Sequence, residues 1–292
     1  MRLGTMTTLF RDQRETDAHT PYLESLRFCR DAGFTVLDFN LCALPRRKTE
    51  LHGEDWKTRV DAIRNEAEKL GIVFSQSHPP YRPGREGVFQ NPEEGAFFQA
   101  MALRAIEISA MLGVKWAVLH PVTAVGSQEY VLEENIAYNH QVFGPEAELA
   151  FKLNVGLAFE NMCDSQGRRR FGTTAGELTS LMDSFRHPLV GLCWDTGHAN
   201  RQYDDQVPAI LQLGRRIKAL HIDDNIGQTD LHLMPFLGNI PWERVMHALY
   251  ETGYEGDLIY EIKSNDRMPA PLKDRTASYV FAVGEYLLSL FK

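Results

Sequence analysis

The amino-acid sequence predicts a single (β/α)8 barrel, the TIM-barrel fold, and three features of the chain carry this prediction. Short apolar runs alternate with amphipathic helical segments from end to end. The apolar runs are nearly continuous, which is typical of parallel strands that are covered on both faces. The helical segments recur too regularly for two separate domains, and 292 residues suit one barrel. We therefore expect one domain over residues 1–292.

Eight strand-then-helix units account for most of the chain. Helix 92–112 has the clearest boundaries, with Pro92 at its first position and Gly113 directly after it. The helical segment 129–152 is expected to be interrupted near Gly144 and Pro145, because proline removes a backbone hydrogen bond. The strands are predicted at residues 3–8, 35–39, 72–77, 114–119, 155–159, 189–194, 217–220 and 258–260. The helices are predicted at residues 21–32, 54–70, 92–112, 129–152, 174–184, 207–214, 241–252 and 277–291.

The composition is that of an ordinary enzyme, with 43% hydrophobic and 24% charged residues. No apolar run approaches the roughly 20 residues that span a bilayer. The amino-terminal stretch is too polar for a signal peptide, so we expect a cytoplasmic protein without a membrane partner. A net charge of -8 disfavours a protein whose affinity comes from phosphate contacts.

Six successive predicted strands end on, or directly before, a side chain that can bind a metal. The stretch VGLCWDTGHAN shows the pattern best, because its apolar run stops on Asp195 and places His198 three residues later. The carboxyl ends of parallel strands meet at one end of a barrel, so these side chains should converge there. Converging carboxylates repel one another, and a divalent cation would stabilise them. The six strand-end residues are His78, His120, Glu160, Asp195, His221 and Glu261.

Over nearly its whole length the sequence resembles the xylose isomerase-like barrel superfamily. The most specific motifs are ENMCD from Glu160, DTGHAN from Asp195, HIDDNIGQTDLHLMPFLGNIPW from His221 and YEIK around Glu261. This superfamily includes sugar isomerases and epimerases, enzymes of inositol catabolism and endonucleases that act on abasic DNA. The resemblance predicts a divalent-metal enzyme and leaves two kinds of chemistry open.

The resemblance to the sugar epimerases implies a metal bound by Glu160, Asp195, His221 and Glu261. Glu160 and Glu261 would also be the acid and base, one removing a carbon-bound proton and the other returning it. The metal would stabilise the resulting enediolate, and His198 would contact a substrate hydroxyl. The implied substrate is a small sugar, polyol or sugar phosphate, the implied metal is Zn, Mn, Co or Mg, and relatives often form homo-oligomers.

The resemblance to the endonuclease branch implies a cluster of three zinc ions. That branch uses nine ligands, and the sequence matches all nine types in order, including Asp230 and His232 two residues apart. The alternative function is therefore a phosphodiesterase that cleaves abasic DNA. A non-catalytic barrel that binds a sugar-like ligand without a tight metal is a third possibility. The residues beyond the epimerase set, which are substrate contacts or ligands of further metals, are His78, His120, His198, Asp230 and His232.

Three consecutive arginines, Arg168, Arg169 and Arg170, follow Glu160 in the next loop. They are candidate contacts for a substrate phosphate or carboxylate, or for DNA phosphates. The loop 79–87, with Arg82 and Arg85, is the other basic segment near the predicted site. No further basic cluster extends these two into a surface the size of a duplex, which makes nucleic acid the less favoured partner.

Overall fold

Eight short parallel strands form the sheet, as the apolar runs predict. The structure is a computed structural model that describes residues 1–9, 21–45, 49–84, 86–124, 130–164, 167–263 and 269–292. Nearly all strand residues are buried because helices cover the outside of the sheet and side chains fill its inside. The strands are β1 (Leu3–Met6), β2 (Val36–Asn40), β3 (Val73–His78), β4 (Trp116–Leu119), β5 (Gly156–Glu160), β6 (Val190–Asp195), β7 (Ile217–His221) and β8 (Leu258–Tyr260).

Helices follow the strands and pack around the sheet. Most begin with a proline, an acidic residue or a capping side chain, such as Asn91, which accepts from the backbone N–H of Glu93. The helices are α1 (Tyr22–Asp31), α2 (Trp56–Leu70), α3 (Pro92–Met111), α4 (Leu132–Lys152), α5 (Ala175–Phe185), α6 (Thr196–Gln202), α7 (Val207–Leu213), α8 (Trp242–Glu251) and α9 (Ala270–Ser289).

The strand order closes the sheet into a barrel. Neighbouring strands pair in the order β7-β6-β5-β4-β3-β2-β1-β8, and every pair is parallel. The seam between β7 and β8 is held by Ile222, which donates to the Ile259 carbonyl at 2.8 Å and accepts from the Glu261 N–H at 3.1 Å. The predicted single (β/α)8 barrel is confirmed.

Trp116, a large buried aromatic side chain at the start of β4, packs inside the barrel, and glycine makes room for it. A Cβ on Gly156, the first residue of β5, would lie 2.3 Å from the Trp116 ring. Small residues on the neighbouring strands, Ala158, Cys193 and Ala219, complete this inner apolar cluster. A layer of apolar side chains therefore fills this part of the barrel interior, and the functional residues of such barrels lie at the other end.

The predicted interruption of α4 is wrong, because the helix continues through Gly144 and Pro145. Side-chain contacts support the turn that proline weakens. Arg82 donates to the Val142 carbonyl at 3.2 Å and pairs with Glu146 at 2.8 Å, on either side of Pro145.

Several strand and helix ends shift by one to three residues from the predicted ones, and two differences are larger. Helix α6 was not predicted, and it begins directly after Asp195, which caps it. Helix α9 begins at Ala270 rather than at residue 277. Pro271 lies in its first turn, a position that suits proline. In the described part of the chain, no helix combines the length and the apolar character that a membrane span requires.

Candidate metal centre

Glu160 is the hub of the site at the carboxyl end of the barrel. It is the last residue of β5, is fully buried and has imidazoles around both oxygens. Its Oε1 lies 3.2 Å from His221 Nδ1 and 3.5 Å from His198 Nδ1. Its Oε2 lies 2.9 Å from His120 Nε2 and 3.8 Å from His78 Nε2. Burial opposes the charge, but the histidines outweigh it and hold the pKa of Glu160 well below its usual range.

His221, at the end of β7, connects the hub to Glu261. Its Nδ1 lies 2.8 Å from Glu261 Oε2, and its Nε2 lies 3.3 Å from Asp38 Oδ2. A proton on Nε2 donated to Asp38 leaves the Nδ1 lone pair between the two glutamates. A histidine that donates one ring N–H to a carboxylate and offers the other nitrogen is typical of metal sites.

Sequence reasoning missed Asp38. This residue lies on the fully buried part of β2, and its Oδ2 also accepts from Gln76 at 2.8 Å. The signal was present, because Asp38 is a single acid within an otherwise apolar strand. A buried carboxylate in that position requires a partner, and His221 is that partner.

Asp195 has one oxygen engaged and one available. Its Oδ1 accepts the backbone N–H of His198 at 2.5 Å and so caps α6. Its buried Oδ2 has no hydrogen-bond partner among the residues that the structure describes. Strand register also pairs Asp195 with His221 on the neighbouring strand. Burial and the neighbouring carboxylates raise the pKa of Asp195, which is the expected result of crowding acids without a cation.

These observations together fit a divalent cation. The ligand atoms of Glu160, Asp195, His221 and Glu261 all lie within 4.8 Å of one another. Three carboxylates and one imidazole are a ligand set that borderline and hard divalent ions accept. The predicted four residues are therefore brought together, and the unpartnered Oδ2 of Asp195 is one atom such an ion would satisfy.

His78 and His120 form a second group that shares Glu160. Their Nε2 atoms lie 3.0 Å apart. The Nδ1 of His78 lies 3.0 Å from the Pro79 carbonyl and 3.1 Å from the Cys42 thiol. Sequence reasoning did not place Cys42 here, because this cysteine follows the end of β2 by two residues and belongs to no recognisable motif.

Asp230 and His232 lie on the loop after β7 and form a third group. His232 Nε2 is 3.1 Å from Asp230 Oδ2, and His198 Nε2 is 3.7 Å from the same oxygen. The buried Asp223 joins them, with its Oδ2 3.4 Å from His232 Nδ1. Ligand atoms of Asp223, Asp230 and His232 lie within 4.8 Å of one another, so this group could also bind a cation.

Asp223 is the second site residue that sequence reasoning missed. The HIDDN motif holds two adjacent aspartates, and the pattern does not say which one faces the site. Asp224 turns away and accepts from the Trp242 indole N–H at 3.0 Å. Asp223 instead accepts the Gly197 N–H at 2.8 Å, and a Cβ on Gly197 would lie 2.4 Å from that carboxylate oxygen. The glycine of the DTGH motif is therefore required by Asp223.

The three arginines separate into two groups. Arg168 and Arg170 line a cavity of about 500 Å³ beside the metal centre, and His120, His198 and Asp230 line the same cavity. Arg169 does not line it, because its guanidinium is 2.5 Å from Glu177 on α5.

The basic loop 79–87 contributes less charge to the mouth than its sequence suggests. Arg82 lines the cavity but is ion-paired with Glu146, and Arg85 lies outside the described residues. Tyr81 lines the same cavity and stacks on His120, with ring centroids 5.7 Å apart.

The chain belongs to the xylose isomerase-like TIM barrel family, whose model matches residues 26–279. An uncharacterized protein y4fM of Sinorhizobium fredii is 27% identical over 158 residues, which is 53% of this chain and 50% of that protein. A probable endonuclease 4 of Mycoplasma mobile is 25% identical over 182 residues, which is 58% of this chain and 60% of that protein. The chain thus matches only half to three fifths of the length of these relatives.

Solved structures share the fold over the whole chain. A D-tagatose 3-epimerase-like protein superposes with a TM-score of 0.77 at 18% identity and covers 100% of this chain and 98% of its own. The D-psicose 3-epimerase of Clostridium cellulolyticum H10 has a TM-score of 0.74 at 17% identity and covers 99% of both chains. At these identities the likeness concerns the fold alone.

Proposed function

We propose that the protein is a divalent-metal-dependent isomerase or epimerase of a small sugar, polyol or sugar phosphate. One observation carries the proposal: ligand atoms of Glu160, Asp195, His221 and Glu261 lie within 4.8 Å of one another at the carboxyl ends of four barrel strands. Functional residues of (β/α)8 enzymes collect at that end. Solved structures of the same fold that are named as sugar 3-epimerases support this class of reaction.

The two glutamates are placed for proton transfer. Glu160 and Glu261 contact the same atom, His221 Nδ1, at 3.2 and 2.8 Å, so they approach one point from two sides. Histidines also lower the pKa of Glu261, to about 2, against the effect of burial. Both groups are therefore carboxylates near neutral pH, and either can accept a carbon-bound proton while the other returns one.

The cation and the cavity complete the proposed chemistry. Lewis-acid stabilisation of an enediolate is what a bound divalent ion supplies. His198 Nδ1 lies 2.9 Å from the Asn161 carbonyl, and the ring lines the cavity, where its Nε2 can hydrogen-bond a substrate hydroxyl. The substrate would therefore lie between the metal centre and the loops that carry Tyr81 and Arg170.

Exchange of a carbon-bound hydrogen with solvent deuterium tests the reaction class, whichever stereoisomer is the substrate. Ketoses, their phosphates and inosose-type polyols are incubated in D2O with protein loaded separately with Zn²⁺, Mn²⁺, Co²⁺ or Mg²⁺. The proposal predicts deuterium at the carbon next to a carbonyl, and a product isomer, for at least one compound. Binding without any exchange would instead support a non-catalytic barrel.

The endonuclease is the second candidate, and two observations favour it. All nine matched ligand types converge in the three groups of the site, and the similar protein from Mycoplasma mobile is named a probable endonuclease 4. Against it, Arg82 and Arg169 are neutralised by Glu146 and Glu177, which leaves little basic surface for DNA phosphates. Cleavage of an oligonucleotide with one abasic site by the zinc-loaded protein is the direct test.

A further inference from the structure

The arginine loop presents two of its three arginines to the cavity and turns the middle one away. Arg168 and Arg170 line the cavity, and Arg169 between them points to α5. Arg169 also donates to the Thr173 hydroxyl and lies over the Tyr130 ring at 4.7 Å. These contacts hold Arg169 against α5, while Arg168 and Arg170 on either side of it face the cavity.

Two backbone hydrogen bonds hold the same loop at the carboxyl end of the arginine run. The Arg170 N–H donates to Asp164 Oδ1 at 2.9 Å, and the Phe171 N–H donates to Thr123 Oγ1 at 3.0 Å. These bonds engage the backbone and leave the Arg170 side chain to point elsewhere. The backbone that carries Arg170 is therefore held in place before any ligand arrives, which lowers the entropic cost of binding.

Arg170 is half-buried and has no carboxylate within ion-pair distance in the part of the chain that the structure describes. Burial is the largest influence on this guanidinium and lowers its pKa. Arg82 and Arg169, two other arginines near the mouth, each pair with a glutamate. Placing a cation in a partly dry cavity without a counter-charge is costly unless a ligand supplies the charge.

The rest of the cavity suits the carbon framework of a small polar molecule. Tyr81 is 54% exposed and stacks on His120 at an angle of 17°, which gives the cavity a flat aromatic wall. His120 and His198 on the same cavity wall belong to the metal centre. A molecule with one end at the metal centre would therefore have its other end near Arg168 and Arg170.

We propose that the substrate is an anionic sugar, whose carboxylate or phosphate is bound by Arg170 with Arg168 while its carbonyl end reaches the metal centre. This inference rests on the proposed function and names its substrate class. Arg170 offers a planar pair of N–H donors that matches either group. The proposed substrate carries a charge, unlike D-tagatose and D-psicose, the ketoses in the names of two structures of the same fold.

The test compares three probes that differ at one carbon: D-fructose, D-fructuronate and D-fructose 6-phosphate. Calorimetry measures their binding to the metal-loaded wild-type protein, to Arg170→Met and to Arg216→Met. Arg216 is a matched control, since it is an exposed arginine at the far end of the barrel. We expect one charged probe to bind roughly ten- to a hundredfold more tightly than D-fructose, the range of a charge-assisted bidentate contact. Arg170→Met should remove that preference, and Arg216→Met should keep it.

The outcomes separate the two anions and the two proposals. A preference for D-fructuronate alone assigns a sugar acid, and one for D-fructose 6-phosphate alone assigns a sugar phosphate. Equal or tighter binding of D-fructose, no binding of either charged probe at millimolar concentration, or a preference that survives Arg170→Met overturns the inference. If the preference holds but no compound exchanges deuterium, the isomerase proposal fails while the anion subsite stands.

Discussion

The two ends of the barrel both carry a cavity, and they differ in what lines it. The cavity at the amino end is the larger, about 850 Å³ against about 500 Å³ at the carboxyl end. Of its four cationic side chains, Lys115 and Arg215 are exposed, Lys218 is half-buried, and Arg2 is paired with Asp257 at 2.8 Å. At the carboxyl end, buried carboxylates and histidines crowd together and several oxygens have no partner among the described residues. Crowded buried ionisable groups, rather than cavity size, therefore mark the candidate site.

Helix direction explains the sorting of charge between the ends. The helices begin at the carboxyl end of the strands, where their positive amino termini favour acids such as Asp195 and Asp223 beside α6. Helices finish at the amino end of the strands, where their negative termini favour cations such as Arg215 and Arg216 after α7. The helix amino termini at the carboxyl end therefore stabilise the negative charge of carboxylates such as Asp195 and Asp223.

The largest expected effect comes from removing the proposed acid and base. Glu160→Gln and Glu261→Gln keep the shape of each side chain but remove a proton acceptor and a metal ligand. Steady-state assays should show turnover reduced by a factor on the order of 100 to 10,000, the usual contribution of general acid–base catalysis. Circular dichroism should show the barrel intact.

Lys115→Gln is the matched control at the amino end, because it changes a cation that lines the other cavity. Its turnover should equal that of the wild-type protein. Near-normal activity in both glutamate variants, or an equal loss in Lys115→Gln, would remove the functional distinction between the two ends.

The next effect concerns Asp38, which orients His221 from behind. Asp38→Asn should weaken metal affinity by roughly 10- to 100-fold, as expected for loss of a carboxylate that supports a ligating histidine. Competition with a chromophoric chelator measures the affinity. Asp257→Asn is the same change at the amino end, and it should leave metal affinity unaltered. Equal affinities for the two variants would show that Asp38 does not support the centre.

A packing change at the amino end should lower the stability of the fold and leave metal affinity unchanged. Gly156→Ala places a Cβ 2.3 Å from the buried Trp116 ring. We expect the free energy of unfolding to fall by about 1–3 kcal/mol, the usual cost of overpacking, with metal affinity unchanged. Urea denaturation of the metal-free protein measures the first quantity. A stable variant with weakened metal binding would contradict the division of roles.

The smallest expected effect is a proton balance. Burial opposes the charge on His221, but Glu261 and Glu160 outweigh it, so the pKa of His221 in the metal-free protein is well above its usual value. Because a ligating imidazole must be neutral, metal binding near pH 7 should release a proton, and affinity should rise with pH through the neutral range. Calorimetry in two buffers of different ionisation enthalpy measures this release. Identical heats after correction for dilution would exclude it.

Much of the fold and of the site followed from the sequence because both depend on local patterns. Each strand end could be located from an apolar run, and the barrel then brings His78, Glu160 and His221 together regardless of loop details. Asp38 and Asp223 were missed for a physical reason. Their roles depend on which way a strand or loop turns, and this is set by packing against His221 and Gly197.

The arginine run shows the same limit. Adjacent residues look equivalent in the sequence, but in the folded chain Arg169 pairs with Glu177 and its two neighbours line the cavity. The metal's identity, a homo-oligomer and a cytoplasmic location stay predictions, because they depend on properties beyond one chain's geometry.

Metal content per chain tests the central claim most directly. Elemental analysis is made on protein purified without chelator or added metal, and again after exposure to Zn²⁺, Mn²⁺, Co²⁺ and Mg²⁺ followed by desalting. Two to three zinc ions would make abasic DNA the next substrate to assay. The account predicts about one tightly held divalent ion per chain, and less in Glu160→Gln. A wild-type protein that holds no ion in either preparation would contradict it.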